Sequence, residues 1–216
     1  MTMEFLPISD AGRKLAPLID HTMLKPDTSL QDIARLCDEA RFYGFAAVCV
    51  NPCMVTAAVA ALNGSGVKIC TVAGFPLGSN TTETKAFETS CAVQNNADEI
   101  DMVVNIAFLK MGNEDYVRND IRSVVRTARK RIVKVILETH LLTGAEKETA
   151  CRLAVECGAH FVKTTTGFTG GGATPEDVAL MRRVTGPDFG VKASGGIRTL
   201  DDALRMSAGF VEVASE

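Results

Sequence analysis

The sequence lacks tryptophan and has only two tyrosines among its 216 residues. With so few large aromatic side chains, it offers little material for a surface on which nucleic-acid bases or sugar rings stack. An excess of one charge is also missing, because 23 basic and 26 acidic residues leave a formal net charge of -3. This balance creates no broad positive field for DNA or an anionic membrane. We therefore expect neither nucleic acid nor a membrane as a partner.

Long apolar runs and disulfide patterns are absent too. No apolar run reaches the roughly 18 residues that a transmembrane helix needs, and the N-terminal segment has no apolar core of signal-peptide length. Seven cysteines form an odd number without framework spacing, and most sit among apolar residues. We expect them to be reduced, buried and hydrophobic in character. The cytoplasm is the predicted compartment.

Metal-binding patterns are also missing. The three histidines, His21, His140 and His160, are scattered along the chain. They do not have the spacing to cysteines or carboxylates that a metal site requires, so we expect no metal.

Short β-rich runs alternate with amphipathic helical stretches along the whole chain. The predicted strands are Leu18–His21, Ala46–Val50, Lys68–Val72, Glu99–Val104, Ile132–Glu138, His160–Lys163, Gly190–Lys192 and Phe210–Val213. The predicted helices are Ser29–Tyr43, Pro52–Leu62, Thr82–Asn95, Asn113–Arg131, Thr143–Glu156, Thr174–Val184 and Thr199–Ala208. Thr143, Thr174 and Thr199 each stand three residues before an acid, which predicts an N-cap at each position.

Regular βα alternation predicts parallel strands with right-handed crossovers. Eight such units, with no linker between them, predict one α/β domain over residues 1–216, a closed (β/α)8 TIM barrel. An open doubly wound sheet is the structural alternative, because strand count alone does not force closure.

Strand parity places ionisable side chains on one face of the predicted sheet. Side chains alternate between faces, so the aliphatic members of each strand pack under the helices. The opposite face carries Asp101, Lys134, Glu138, Lys163 and Lys192. In a barrel these groups converge inside, and active sites of this fold lie at the C-terminal strand ends.

Two interpretations of these charges remain open. Lysine–carboxylate pairs within the core account equally well for Lys134 and Glu138, but less well for Lys163 and Lys192. Two ammonium groups on neighbouring strands disfavour each other's charge, which yields a neutral, nucleophilic amine. Such an amine condenses with a carbonyl to a Schiff base, and Asp101 is placed to move protons through a water or hydroxyl.

Glycine-rich loops follow the sixth and seventh predicted strands. Gly167, Gly195 and Gly196 let backbone amides approach an anion, and Arg198 stands beside a helix N-terminus. A phosphate site is often found at this place in a barrel. Plain turns are the alternative interpretation of these loops.

Seven motifs resemble those of the deoxyribose-phosphate aldolases, class I aldolases with a Schiff-base lysine. They run in family order to about residue 208: IDHTMLKP at 19–26, AAVCVNP at 46–52, AGFPLGS at 73–79, ADEIDMVVNI at 97–106, VKVILET at 133–139, FVKTTTGF at 161–168 and VKASGGIRT at 191–199. The resemblance implies a (β/α)8 barrel without metal or cofactor. It implies reversible cleavage of 2-deoxy-D-ribose 5-phosphate to glyceraldehyde 3-phosphate and acetaldehyde, in deoxynucleoside catabolism.

The resemblance also implies roles for catalytic residues. By motif position, Lys163 is similar to the Schiff-base lysine and Lys192 to the second lysine that lowers its pKa. Asp101 is similar to the proton-relay acid, and Asp20 to a member of the supporting polar network.

On the substrate side, Cys49 matches a cysteine that lines the site, although a small core hydrophobic residue is an equally good interpretation. Thr166 is expected near the substrate hydroxyls. The phosphate-binding loops correspond to Gly167, Gly195, Gly196 and Arg198. Relatives in this family are often dimers, so the resemblance allows a homodimer.

The C-terminus departs from the family pattern. The family's Gly-Thr-Ser-Ser type loop and closing helix are replaced by RMSAGFVEVASE, in which Glu212 and Glu216 carry the wrong charge and only Ser215 matches. We expect a short or absent closing segment and weaker phosphate binding. The alternative functions are a phosphate-binding barrel isomerase or synthase, and a degenerate, non-catalytic barrel.

Overall fold

The computed structural model of the chain describes residues 5–207. The strands are β1 Asp20–Met23, β2 Ala47–Val50, β3 Lys68–Ala73, β4 Glu99–Val103, β5 Ile132–Ile136, β6 Phe161–Lys163 and β7 Gly190–Lys192. The helices are α1 Asp10–Leu15, α2 Leu30–Tyr43, α3 Val55–Leu62, α4 Thr82–Gln94, α5 Ile106–Lys110, α6 Glu114–Ala128, α7 Gly144–Glu156, α8 Pro175–Thr185 and α9 Leu200–Ser207. Single 3₁₀ turns occur at Ala16–Leu18, Pro52–Met54 and Thr139–Leu141.

The strands form a sheet in the order β1-β2-β3-β4-β5-β6-β7. The chain divides into two compact units, one with the residues up to 71 and 92–99, the other with 72–91 and the residues from 100 onward. In the first unit, β1, β2 and β3 pair in parallel. A capping box begins α2, where the Ser29 side chain accepts from the Asp32 amide, and Gly44 ends the helix in the left-handed conformation.

In the second unit, β5, β6 and β7 pair in parallel, with Lys134 opposite Phe161 and Lys163 opposite Lys192. Thr143 and Glu146 form a capping box at α7. The Thr174 side chain caps α8. A glycine-rich loop connects β6 to this helix.

The predicted alternation is confirmed for seven strands, which gives an α/β fold with a parallel sheet. The predicted strand Phe210–Val213 lies outside the described residues, as do Glu212, Ser215 and Glu216. β1 begins two residues later than predicted, because Ala16–Leu18 forms a 3₁₀ turn. β5 ends at Ile136 rather than Glu138.

Two short helices were not expected from the sequence. Helix α1 has six residues, and α5 has five residues between β4 and α6. Helices of one turn carry too little periodicity to stand out from a loop. The Asn105 side chain caps α5 by accepting from the Phe108 amide.

The core is mainly aliphatic, and all seven cysteines carry free thiols. Five are buried, as predicted for small core residues: Cys37, Cys49, Cys70, Cys151 and Cys157. Burial raises the pKa of Cys37 to about 11 and that of Cys151 to about 12. Within residues 5–207, no helix has both the length and the apolar character needed to cross a membrane.

Candidate active site

A buried carboxylate on β4 holds two buried lysines from other strands of the second unit. Lys163 Nζ, at the end of β6, donates to Asp101 Oδ2 over 2.6 Å. Lys134 Nζ, on β5, donates to Asp101 Oδ1 over 3.0 Å. All three residues are at most 3% exposed. Strand parity predicted this convergence, and the contacts confirm it.

Lys163 forms an ion pair with Asp101, although the sequence favoured the ion-pair interpretation less for this residue. Burying an ammonium ion alone is very unfavourable, and a carboxylate at hydrogen-bond distance compensates part of that energy. The expected water or hydroxyl between Lys163 and Asp101 is not needed, because the two side chains are in direct contact. A proton can therefore pass between these two groups without an intermediary.

Lys192 lies next to Lys163 across the β6–β7 pair. The two lysines are Cα partners in the parallel register, so the predicted neighbour relationship is confirmed. Lys192 is partly exposed, whereas Lys163 is buried. The Thr164 amide donates to the Lys192 carbonyl over 3.1 Å, which fixes the ends of the two strands against each other.

The loops that follow β6 and β7 are hydrogen-bonded to each other. The hydroxyls of Thr164 and Thr165 both donate to the Ser194 carbonyl, over 2.8 and 2.9 Å. The Ala173 amide donates to the Gly195 carbonyl. Gly195 has φ +93°, and a Cβ there would lie 2.3 Å from Thr165 Oγ1. Only glycine permits this approach, so the two loops form one surface beside Lys163.

Gly167, Gly196 and Arg198 lie at the outer part of the same loops. Gly167 and Gly196 both have positive φ and are exposed. A Cβ at Gly167 would lie 3.8 Å from the Gly195 Cα, which places the two predicted phosphate loops side by side. Arg198 is exposed, and it precedes α9, as predicted.

The N-terminus of α9 is already capped from within the chain. The backbone amides of Arg198 and Thr199 donate to the Asp202 carboxylate. These hydrogen bonds, the Arg198 amide first, lower the pKa of Asp202 to about 2. Asp202, the acid of the predicted Thr199 cap, is therefore an anion at the predicted phosphate position.

A cavity of about 300 Å³ opens between these loops and the starts of α8 and α9. Its lining includes Gly195 and Gly196, the acids Glu176 and Asp202, and the base Arg205. The predicted phosphate loops thus face a concave site, but its charged lining is mixed rather than positive.

Glu138 is a site residue whose role the sequence did not indicate. It is buried and follows β5, and its carboxylate accepts hydrogen bonds from the amide and the hydroxyl of Thr166. Thr166 thus lies three residues after Lys163 and is hydrogen-bonded to the residue that follows the neighbouring strand β5. Strand parity places Glu138 on the converging face and leaves a core ion pair as an equal alternative, but no local pattern in the sequence indicates its contact with Thr166.

The two remaining predicted site residues belong to the first unit. Asp20 is partly exposed and begins β1, where it is the Cα partner of Ala47. Cys49 is buried on β2, between Thr22 of β1 and Cys70 of β3 in the register. Their functional roles stay predictions.

Comparison with known families gives one match over most of the chain. The sequence profile described as DeoC/LacD family aldolase matches residues 14–212. The chain belongs to this aldolase family. The family resemblance stated from the motifs is thereby confirmed.

Curated relatives in the family carry a consistent name. A deoxyribose-phosphate aldolase of Bacillus subtilis is 62% identical over 193 residues, which are 89% of this chain and 86% of the relative. Deoxyribose-phosphate aldolase 2 of Bacillus licheniformis is 61% identical over the same shares of the two chains.

Solved structures of family members resemble the fold. A putative deoxyribose-phosphate aldolase from Coccidioides immitis is 42% identical, with a TM-score of 0.90 over 98% of this chain and 83% of that one. The deoxyribose phosphate aldolase from Aeropyrum pernix, described as a unique tetrameric structure, is 31% identical. Its TM-score is 0.85, over 94% of this chain and 85% of that one.

Proposed function

We propose that this protein is a class I deoxyribose-phosphate aldolase. It reversibly cleaves 2-deoxy-D-ribose 5-phosphate to D-glyceraldehyde 3-phosphate and acetaldehyde, in the catabolism of deoxynucleosides. The observation that carries the proposal is the buried contact between Lys163, at the C-terminal end of β6, and Asp101, in the middle of β4, in a chain about 60% identical to enzymes of that name.

The reaction begins with proton movement between these two residues. Lys163 gives its proton to Asp101 Oδ2, 2.6 Å away, and its lone pair attacks the C1 carbonyl carbon of the open-chain sugar. The carbonyl oxygen takes the proton back from Asp101, and a further proton transfer releases it as water. The product is a protonated imine between Lys163 and C1.

The imine then accepts electrons from the bond that breaks. A base removes the proton from the C3 hydroxyl, the C2–C3 bonding pair moves into the imine, and glyceraldehyde 3-phosphate leaves. Protonation of the resulting enamine at C2 and addition of water at C1 release acetaldehyde and regenerate Lys163. We assign these proton transfers at the nitrogen to Asp101, whose Oδ2 lies 2.6 Å from Lys163 Nζ.

The other two lysines act through charge. Lys134 Nζ donates to Asp101 Oδ1, and this contact holds the carboxylate in place while its other oxygen exchanges protons. Lys192 is paired in register with Lys163. Its positive charge opposes protonation of Lys163 and favours the neutral, nucleophilic form. We assign Asp20 to the supporting polar network of the site.

On the substrate side, we assign the phosphate to the loops that carry Gly167, Gly195, Gly196 and Arg198. The cavity that Gly195 and Gly196 line supports this assignment. The Thr166 hydroxyl gives its hydrogen to Glu138, so it meets a substrate hydroxyl as an acceptor. Cys49 is proposed to line the site from β2.

At the level of the whole protein, we propose that the sheet closes into a (β/α)8 barrel in a single domain. The regular parallel order β1 to β7 supports closure. We propose that the enzyme works without metal or cofactor, resides in the cytoplasm and self-associates, with a homodimer as the expected form.

An aldehyde-release assay tests the proposed activity. Purified protein should form acetaldehyde from 2-deoxy-D-ribose 5-phosphate, and Lys163→Met should lower turnover on the order of 10³-fold or more because the nucleophile is removed. Lys130→Met, which removes an exposed lysine, is the matched control and should retain activity. Equal turnover of the Lys163 variant and wild type would contradict the proposal.

A further inference from the structure

The residue just beyond β5 has an unusual combination of backbone and burial. Glu138 has φ +58° and ψ 59°, the left-handed region, and its residue is fully buried. A non-glycine residue rarely adopts this conformation, because it is strained and persists only where surrounding contacts enforce it. Such residues concentrate at functional sites.

The contacts that enforce it come from the loop after β6. The Thr166 amide donates to both carboxylate oxygens of Glu138, over 3.2 and 3.3 Å, and the Thr166 hydroxyl donates to Oε2 over 2.5 Å. An ionised carboxylate only accepts, so the direction of the hydroxyl bond is fixed. The same hydroxyl oxygen accepts from the Phe168 amide.

A second contact holds the same loop farther along. The His140 Nε2 atom lies 3.2 Å from the Thr169 carbonyl oxygen and 3.3 Å from the Thr169 hydroxyl. Its Nδ1 atom lies 3.4 Å from Glu138 Oε1. A Cβ at Gly171 would lie 2.0 Å from the His140 ring. The turn after β5 therefore contacts the β6–α8 loop near its start, at Thr166, and in its middle, at Thr169 and Gly171.

These contacts are close to the nucleophile in the chain but do not include it. The loop begins directly after Lys163, and Gly167, which we assign to phosphate binding, follows Thr166. The Leu137 amide donates to the Lys163 carbonyl over 2.9 Å, so the backbone of β6 is held separately from the Glu138 carboxylate. Loss of that carboxylate would loosen the loop and leave the strand ladder intact.

We propose that Glu138 is a positioning residue for substrate recognition. Its carboxylate holds Thr166 and Gly167 where they bind the phosphate-bearing half of the sugar, and it takes no part in imine formation at Lys163. This inference rests on the function proposed above and adds to it a division of labour: Asp101 serves the two-carbon half, and Glu138 serves the three-carbon phosphate half.

The test separates the two halves of the substrate. In Glu138→Gln, an amide replaces an acceptor-only group, so one of the two Thr166 donors faces an N–H group. The KM for 2-deoxy-D-ribose 5-phosphate should rise about tenfold, with kcat changed by less than about threefold, as expected when ground-state binding is lost. The rate of borohydride trapping with acetaldehyde alone should equal that of wild type.

Variants of the partner residue provide an independent arm. Thr166→Val removes the hydroxyl and should reproduce the rise in KM, whereas Thr166→Ser should retain the wild-type KM. Combined with Glu138→Gln, Thr166→Val should add little, because both changes remove one interaction. Glu148→Gln, at a side chain that is 53% exposed, is the matched control and should match wild type.

Three results would overturn the inference. They are an unchanged KM in both Glu138→Gln and Thr166→Val, a loss of acetaldehyde trapping in either folded variant, and equal effects of Thr166→Ser and Thr166→Val. If Glu138→Gln fails to fold by circular dichroism, the Thr166 pair decides alone. Absence of trapping in the wild-type protein would instead refute the proposed function itself.

Discussion

The chemistry at the residue scale depends on one carboxylate shared between two buried lysines. Asp101 binds Lys163 through one oxygen and Lys134 through the other. In the proposed mechanism the two oxygens have different tasks: Oδ2 exchanges a proton with Lys163, and Oδ1 accepts from Lys134. Lys192 is the Cα partner of Lys163 in the β6–β7 register, so a third lysine lies beside this pair of contacts.

Gly195 offers a residue-scale prediction about how tightly the two loops fit. Both glycines have positive φ, so alanine would be strained at either position. A Cβ at Gly195 would also lie 2.3 Å from Thr165 Oγ1, whereas a Cβ at Gly196 would have no atom within 4 Å. Overpacking typically costs about 1–3 kcal/mol. In urea denaturation, Gly195→Ala should lose at least about 1 kcal/mol more free energy of unfolding than Gly196→Ala. Equal losses would mean that the loops are not in this contact.

The sequence could predict that Asp101, Lys134 and Lys163 converge, but not that Glu138 binds Thr166. Alternation along β4, β5 and β6 was enough to place Asp101, Lys134 and Lys163 on one face, because side-chain direction in a strand is local geometry. A strand predicted to run two residues longer, to Glu138, places this residue on the same face. The chain leaves the strand after Ile136, and tertiary contacts with Thr166 determine where the carboxylate points.

A buried ion pair links three elements of the second unit. Lys85 Nζ, from α4, donates to Asp120 Oδ2 on α6 over 2.5 Å and to the Val103 carbonyl at the end of β4 over 2.9 Å. Thr82 donates to the other Asp120 oxygen. Burial lowers the pKa of Lys85 and raises that of Asp120, and their mutual attraction opposes both shifts. The pair therefore fixes two helices to the strand that carries Asp101.

The element-scale prediction is that removing one partner of this pair lowers the free energy of unfolding far more than removing both. Asp120→Asn leaves the Lys85 ammonium buried without its counter-charge and should cost about 3–5 kcal/mol of unfolding free energy. The double variant Lys85→Met, Asp120→Leu should recover most of that loss, because both desolvated charges are gone. Urea denaturation measures both changes.

A matched control for the ion pair is available at the surface. A guanidinium nitrogen of Arg183 lies 3.6 Å from Glu148 Oε1, and both side chains are more than half exposed. Breaking this pair with Glu148→Gln should change stability by less than about 1 kcal/mol. If Asp120→Asn has an equally small effect, the buried pair does not hold these elements together.

At the same scale, helix starts were predictable and short helices were not. The three threonine caps follow from a local hydrogen bond between the cap oxygen and an amide three residues later, and each is present, at Thr143, Thr174 and Thr199. Helices α1 and α5 are too short for a periodic signal. The Lys85–Asp120 pair spans 35 residues along the chain, so no sequence spacing could reveal it.

At the scale of the whole molecule, the balanced charge offers no broad charged surface for a polyanionic partner. The βα alternation predicts a site at the C-terminal ends of the strands. The family assignment covers residues 14–212, and the proposed reaction requires groups that the second unit brings together by itself: Asp101, Lys134, Lys163 and Lys192. The charge of the predicted phosphate site is harder to predict from the sequence. Glu176 and Asp202 start different helices, and only the fold brings both into the cavity lined by Gly195 and Gly196.

The central claim is that Lys163 forms a Schiff base with the substrate carbonyl. The most direct measurement is intact mass and peptide mapping after borohydride reduction, with and without acetaldehyde. The account predicts one ethyl group per chain, located on Lys163, present only with acetaldehyde, absent in Lys163→Met and retained in Lys130→Met. No adduct, or an adduct located on Lys192 or Lys134, would contradict it.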